Sequence, residues 1–357
     1  MPFDPASVDF LTRLQAERLG PRGGAGITEP DRIADSLGGL LTEEDRQSTF
    51  EILFGSETSL PTPYESFHNY SLLSDLALAI TVALRKFRDI DEVPMVGTLP
   101  IGAPLAFLLR VPESTGHIVL VDTQFAVFAN LLAKACAQAL LPGRDKTKDA
   151  WTTALDGPDH PAVLRYLELM KATLGDGPAT APSYLADSYW QSLAGELRTA
   201  IEVFVLAEPI AHLAMRHIDT AEPTPLHAVH HDAETYSWTR RQQAECFVMR
   251  LRLMEAIFEM TGRPNKRLGY WAIELFLFSL ALLQTIAARH RGETRRVATR
   301  PAEQIAWMRE VLRRMEGEHS RSAALLDRLV PIKLAFARHL GAALSRAEGT
   351  ERRSGEP

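Results

Sequence analysis

Several absences narrow this sequence before any motif is considered. It has only two cysteines, Cys136 and Cys246, with no CxxC spacing. That excludes a disulfide scaffold and a structural zinc ribbon, and leaves two reduced thiols in a cytoplasmic setting as the expectation. There is no surplus of basic charge: 39 Lys and Arg stand against 45 Asp and Glu, a formal net charge of -6. A general nucleic-acid binder is therefore not expected, because phosphates need cations to neutralise them. No basic region followed by an apolar stretch marks the first residues, so no secretory signal is read there. No Walker loop, no GxGxxG before a helix and no GxSxG is present. No internal repeat is visible.

What is there is a largely helical pattern. Hydrophobic residues make up 46% and charged residues 24% of 357 positions, enough for a sizeable core. Thr28 and Thr42 read as caps of two early helices, and apolar periodicity predicts another over residues 72–88. Further helices are expected over 126–141, 184–215, 237–260, 268–291, 301–316 and 322–348, the last entered through Pro331. One region reads differently. PLAFLLRV and HIVLVD, separated by PESTG, predict a β-hairpin, and no other stretch reads convincingly as strand. The fold class is thus mainly α with a small β-hairpin or sheet. Residues 1–89 read as an N-terminal helical segment, 90–316 as the core domain, 317–348 as a C-terminal helix and 349–357 as a disordered tail. The stretch 268–288 is long enough to span a bilayer. Glu274 within it would cost about 3 kcal/mol near a bilayer centre, so a buried core helix without a transmembrane span is expected.

The chemistry-bearing stretch is VFVLAEPIAHLAMRHID, residues 203–219. It resembles the active-site helix of gluzincin-type metallopeptidases, zincins in which two histidines one turn apart bind zinc and a neighbouring glutamate is the general base. The resemblance puts Glu208 at the first histidine position, Pro209 at the catalytic glutamate and His212 at the second histidine, with His217 trailing. Trp238-Thr-Arg-Arg-Gln-Gln-Ala-Glu245 resembles the helix that carries the third ligand, which falls on Arg241, with Glu245 one turn later. Arg300 in ATRPAEQIAW takes the place of a late histidine, and the hairpin resembles the strand pair before the active helix.

The resemblance implies a degenerate zincin framework without zinc-peptidase activity. Pro209 cannot act as a base and should kink or end its helix near Val205. Arg241 is permanently cationic and repels a metal ion. An ion pair between Glu208 and Arg241, joined by His212, is expected to take over the metal's cross-linking role. His227, His230 and His231 form a His-rich tract with Asp232 and Glu234, readable as a solvated loop or, with His212, Glu208, Glu245 and His217, as donors for a different metal. Cys246, five positions after Arg241, is expected to point elsewhere, as a buried thiol or a haem ligand. Buried Glu274 calls for an arginine or histidine partner from a neighbouring helix. The arginine-rich run 289–300 reads as a solvated loop or a patch for an acidic partner.

The functional expectation is a non-catalytic pseudopeptidase that binds a protein or peptide beside the hairpin edge, with no cofactor. The alternative is a repurposed enzyme with a transition metal or haem in the inherited pocket, and a helical scaffold within a complex is a third reading.

Overall fold

The structure, a computed structural model, describes residues 4–20, 60–140 except 66, 89, 91–92 and 113, 155, 157–174, 188–226, 233–262, 266–290 and 299–354 except 318–319. The helices expected after Thr28 and Thr42 lie outside the described residues. The fold is mostly helical with one mixed five-stranded sheet. The chain divides into two compact units: 1–125 with 205–246, which holds the sheet, and 126–204 with 247–357, whose described elements are all helical.

In the sheet unit, α1 (Pro5–Leu19) starts at Asp4, whose carboxylate accepts from the Ala6 and Ser7 amides. α2 (Phe67–Leu84) starts five residues earlier than the periodicity predicts. The strands are β1 (Met95–Leu99), β2 (Ala106–Arg110), β3 (His117–Asp122), β4 (Glu222–Pro225) and β5 (Glu234–Ser237). β2 and β3 form the expected antiparallel hairpin, with Leu108 opposite Val119. Three strands were not expected: β1, parallel to β3, and the β4–β5 pair within the Pro- and His-rich stretch. The four-residue β4 and β5 carry too little periodicity to stand out, and β1, buried along its whole length, shows no alternation. The sheet order is β1-β3-β2-β5-β4.

Alternation divides the sheet faces. Met95, Leu99, Leu109, Ile118, Leu120 and Ala233 pack with Phe10, Leu11 and Leu14 of α1. Gly97 permits this approach, since a Cβ there would sit 2.5 Å from a Leu11 methyl. The opposite face carries Arg110, which registers with both His117 and Glu234, and Tyr236, two residues along β5 from Glu234.

The helical unit holds α3 (Phe125–Leu140) from residue 126, α4 (Pro161–Leu174), most of α5 (Ser188–Ala214) and of α6 (Arg240–Met260), α7 (Lys266–His290), α8 (Thr299–Glu316), α9 (Arg321–Leu326) and α10 (Val330–Ser354). Tyr166 stacks on Phe336 at 4.1 Å between ring centroids, and its hydroxyl donates to Ser279. The helix expected over 322–348 is instead two helices joined by a 3-10 turn at Asp327–Leu329. Pro331 sits in the first turn of α10, where its missing N–H is harmless. α10 then runs to Ser354, through most of the tail expected to be disordered; residues 355–357 lie outside the described ones.

The apolar α7 passes the length and composition test for a membrane span over Lys266–Ala288, yet most of that stretch is buried within the protein. Glu274 at its centre is fully buried and ion-paired with Arg309 of α8 and Lys333 of α10. This is the neighbouring-helix arginine the sequence called for, with a lysine added.

Candidate functional site

The residues singled out by sequence fall mainly in the sheet unit, where α5 ends, the chain turns through a 3-10 helix (His217–Asp219), forms β4 and β5, and enters α6. α5 does not end or break at Pro209, which lies buried inside a continuous helix. A proline there leaves the Val205 carbonyl without its helical donor and ordinarily costs about 3 kcal/mol. The helix persists because packing outweighs that penalty: Val203 to Ala207, Ile210 and Ala211 are all buried. Side chains of α6 also reach carbonyls along α5. Buried Arg250 donates through Nε to Phe204 at 2.8 Å, and the Cys246 thiol donates to the Glu208 carbonyl at 3.5 Å. Cys246 is thus a buried thiol pointing elsewhere than exposed Arg241, both as expected, and the direction it takes is toward the motif helix.

α6 opens with a capping box. The Thr239 amide donates to Gln242 Oε1 at 2.8 Å, and the Gln242 amide donates to Thr239 Oγ1 at 3.2 Å. The same Gln242 uses Nε2 to reach the His217 carbonyl and the Thr220 hydroxyl, tying the 3-10 turn to the start of α6.

Around this tie the histidines come together. His212, 1% exposed, has Nδ1 at 2.8 Å from His217 Nδ1. His217 Nε2 lies 3.4 Å from Glu245, and Glu245 pairs with Arg241 at 2.8 Å. The Arg241 side chain is 88% exposed, so the ion pair expected between Glu208 and Arg241 is replaced by an i,i+4 pair on the surface of α6. The cause is geometric: one turn of helix puts Glu245 directly beside Arg241, and a guanidinium turned to solvent keeps its hydration. Glu208 is half-buried on α5.

The rings form a ladder that the spacing of the motif did not reveal. Trp238 stacks on His212 at 3.9 Å and 10°, and Tyr236 stacks on Trp238 at 5.2 Å. The Tyr236 hydroxyl contacts His117 Nε2 at 2.7 Å. Trp238 had stood out only as the head of the ligand-helix pattern. Tyr236 and His117 were missed, although the alternation in Glu-Thr-Tyr-Ser was a faint strand signal.

Electrostatics fix the protons. Its hydrogen bond to Arg241 holds Glu245 below the usual carboxylate range, and Glu245 in turn raises Arg241. An ionised carboxylate only accepts, so His217 carries its hydrogen on Nε2 and offers a lone pair at Nδ1. His212 must then donate from Nδ1. Burial lowers His217 despite Glu245, favouring this neutral form. Burial, reinforced by Arg110, lowers His117, and burial raises Tyr236.

Neither the ligand positions implied by the resemblance, Glu208, His212 and Arg241, nor the alternative pair His212 and His217 fits a zinc ion. Two nitrogens bound tetrahedrally to one zinc at about 2.0–2.1 Å stand about 3.3 Å apart. The two Nδ1 atoms are closer, at hydrogen-bond distance, and are directed at each other. Arg241 supplies a cation at the third position. Among the described residues, no group of three or more His, Cys, Asp or Glu side chains could hold a metal ion. His227, His230 and His231 lie outside the described residues, as do the Arg300 side chain and residues 291–298 of the arginine-rich run.

No protein-family profile, curated protein or solved structure matches this chain.

Proposed function

We propose that the protein is a non-catalytic pseudopeptidase on a degenerate zincin framework, acting in a cytoplasm by binding a protein or peptide segment in extended form beside β2. The observation that carries this reading is the outward edge of that strand. Asp122 donates its amide to the Leu105 carbonyl, and Val111 donates to Gly116, so odd-numbered residues of β2 turn their backbone groups to β3. Even-numbered residues turn theirs the other way. On that side the one registered pair among the described residues is Arg110 with Glu234, and the Leu108 carbonyl accepts the Thr235 hydroxyl. Ala106 lies beyond that ladder and is half-buried like Phe107, with the amide of buried Leu108 next to it, so strand addition would start at Ala106.

The outer margins of the sheet are poorer docking sites. At β1, the Thr98 amide donates to Glu65 and its carbonyl accepts from Gln15. At β4, Leu226 donates inward to Ala233, so alternation turns Pro223 and Pro225 outward, and proline offers no N–H. Replacement of the catalytic base by Pro209 and of a ligand by Arg241 supports binding over hydrolysis, and two buried thiols outside any disulfide fit a reducing compartment.

Panning a random-peptide phage library on the full chain tests this. A consensus of extended peptides should emerge and weaken by about tenfold or more on Ala106→Pro, which removes an outward donor while sparing the ladder to β3. The variant should keep the circular dichroism spectrum and nearly the melting temperature of the parent. Absence of any consensus, or a consensus indifferent to Ala106→Pro, sinks the reading. Elemental analysis and an absorption spectrum address the alternative: about one equivalent of transition metal, or a Soret band, would favour a repurposed enzyme.

A further inference from the structure

We infer that His212, His217, Trp238 and Glu245 form a metal-independent clasp that seats the β4–β5 pair beside β2, doing through hydrogen bonds and stacking what metal bonds do in a zincin. The inference rests on the proposed zincin ancestry and names the device that positions one end of the proposed peptide edge.

The connection between β5 and β2 is slight for a sheet. Among the described residues, one registered pair, one threonine hydroxyl bond and a 3.6 Å ion pair between Arg110 and Glu234 join them. Two-stranded β structure is marginal by itself in water. Something other than the ladder must therefore hold β4 and β5 where they are, and the clasp grips both ends of the excursion. At the incoming end, His217 in the 3-10 turn bonds His212 on α5 and contacts Glu245 on α6. At the outgoing end, Trp238 follows β5 directly and lies flat on the His212 ring. Gln242 bridges both ends through the His217 carbonyl and the capping box. From Trp238 the stacking continues to Tyr236 on β5, whose hydroxyl meets His117 on β3, so the clasp is coupled to the sheet itself. The geometry is that of two imidazoles sharing one hydrogen at 2.8 Å between their Nδ1 atoms, not of two ligands diverging around an ion.

The decisive measurement is thermal unfolding of the full chain with excess EDTA, with equimolar zinc(II) and with equimolar cobalt(II), alongside a mutant cycle. The melting temperature should not change in any of the three, and cobalt should give no tetrahedral visible bands. His212→Phe retains a ring against Trp238 but loses the Nδ1 bond, and His217→Ala removes its partner. Each should lower the melting temperature by about 3–8 °C, and the double variant should lose clearly less than the sum. His217→Ala should also alter Trp emission, a change that Trp238→Phe abolishes. Additive losses would overturn the clasp, as would stabilisation by zinc, loss of stability in EDTA or cobalt bands. If a variant fails to fold, the metal measurements on the parent still decide. Failure of the peptide reading is separate: it shows as loss of the phage consensus with the coupling between His212 and His217 intact.

Discussion

The two units each bury a glutamate completely, and they neutralise it in opposite ways. In the helical unit, Glu274 is 0% exposed, and its Oε1 takes both Lys333 and Arg309, the latter at 3.0 Å. Arg309 then reaches Asp327 at 2.7 Å, so the charge is passed to the surface through a string of ion pairs. In the sheet unit, Glu65 is equally buried but is held by neutral donors: the Thr98 amide at 2.7 Å, the Thr98 hydroxyl at 2.7 Å and Gln15 Nε2 at 2.6 Å. Those donors work against a desolvation cost that pushes its pKa up. An ion pair between helices suits a unit whose backbone groups are satisfied within helices. A carboxylate held by neutral donors suits a sheet margin, because it satisfies the backbone amide of a strand that lacks a neighbour on that side among the described residues.

This contrast orders the expected effects of substitution. Glu274→Ala should be the most damaging, because it strands two largely buried cations; a loss of about 3–5 kcal/mol by urea unfolding is expected. A loss below about 1 kcal/mol would mean that Lys333 and Arg309 simply swing to solvent. Glu65→Ala takes the acceptor from the Thr98 amide and hydroxyl, while Gln15 keeps the Thr98 carbonyl and Thr62, and should cost about 2–3 kcal/mol. If it equals or exceeds Glu274→Ala, the neutral clamp is the stronger anchor and the ranking reverses. The smallest change is Glu65→Gln, whose amide can still accept from Thr98 and Gln15 while its own NH2 finds the threonine oxygen.

The informative readout of Glu65→Gln is the pH profile. The folded pKa of Glu65 is raised above its ordinary value of 4.5, so the folded state binds the proton more tightly than the unfolded chain. Stability contributed by the protonated form is therefore full below 4.5 and is lost as pH rises through the folded value. Glu65→Gln should remove that decline, leaving a flatter acid limb than the parent. An unchanged acid limb would place the slope on another group.

Local pattern was enough for much of this molecule. The helices over 126–141, 184–215, 237–260 and 268–291 occur at Phe125–Leu140, Ser188–Ala214, Arg240–Met260 and Lys266–His290, because long amphipathic or apolar runs leave little choice of period. The β2–β3 hairpin was legible from two alternating runs around a turn. The Thr239–Gln242 capping box was legible too, as a Thr-x-x-Gln signature, though it went unread.

The site was legible only as a set of residues. That His212, His217 and Glu245 belong to it could be read from their spacing; that they bond to one another in that order could not. A histidine has two nitrogens, and which one meets which neighbour depends on ring orientations set by Trp238 and by the turn at His217. The direction of Arg241 was equally undetermined, since a residue at the start of a helix can face inward or toward water, and solvation of the guanidinium decides.

Composition and periodicity by themselves determined the helical character, the hairpin, the apolar α7 with its need for a cationic partner, and that position 209, being proline, cannot act as a base. Those properties depend on residues near in sequence, or on a single side chain's chemistry. The tertiary structure alone decided that α5 runs unbroken through Pro209, that β5 joins β2 by a single registered pair, and that the imidazoles meet at Nδ1 rather than around an ion. Each of those outcomes is a balance between a local penalty and contacts from segments distant in sequence, so it is settled only when the chain has folded.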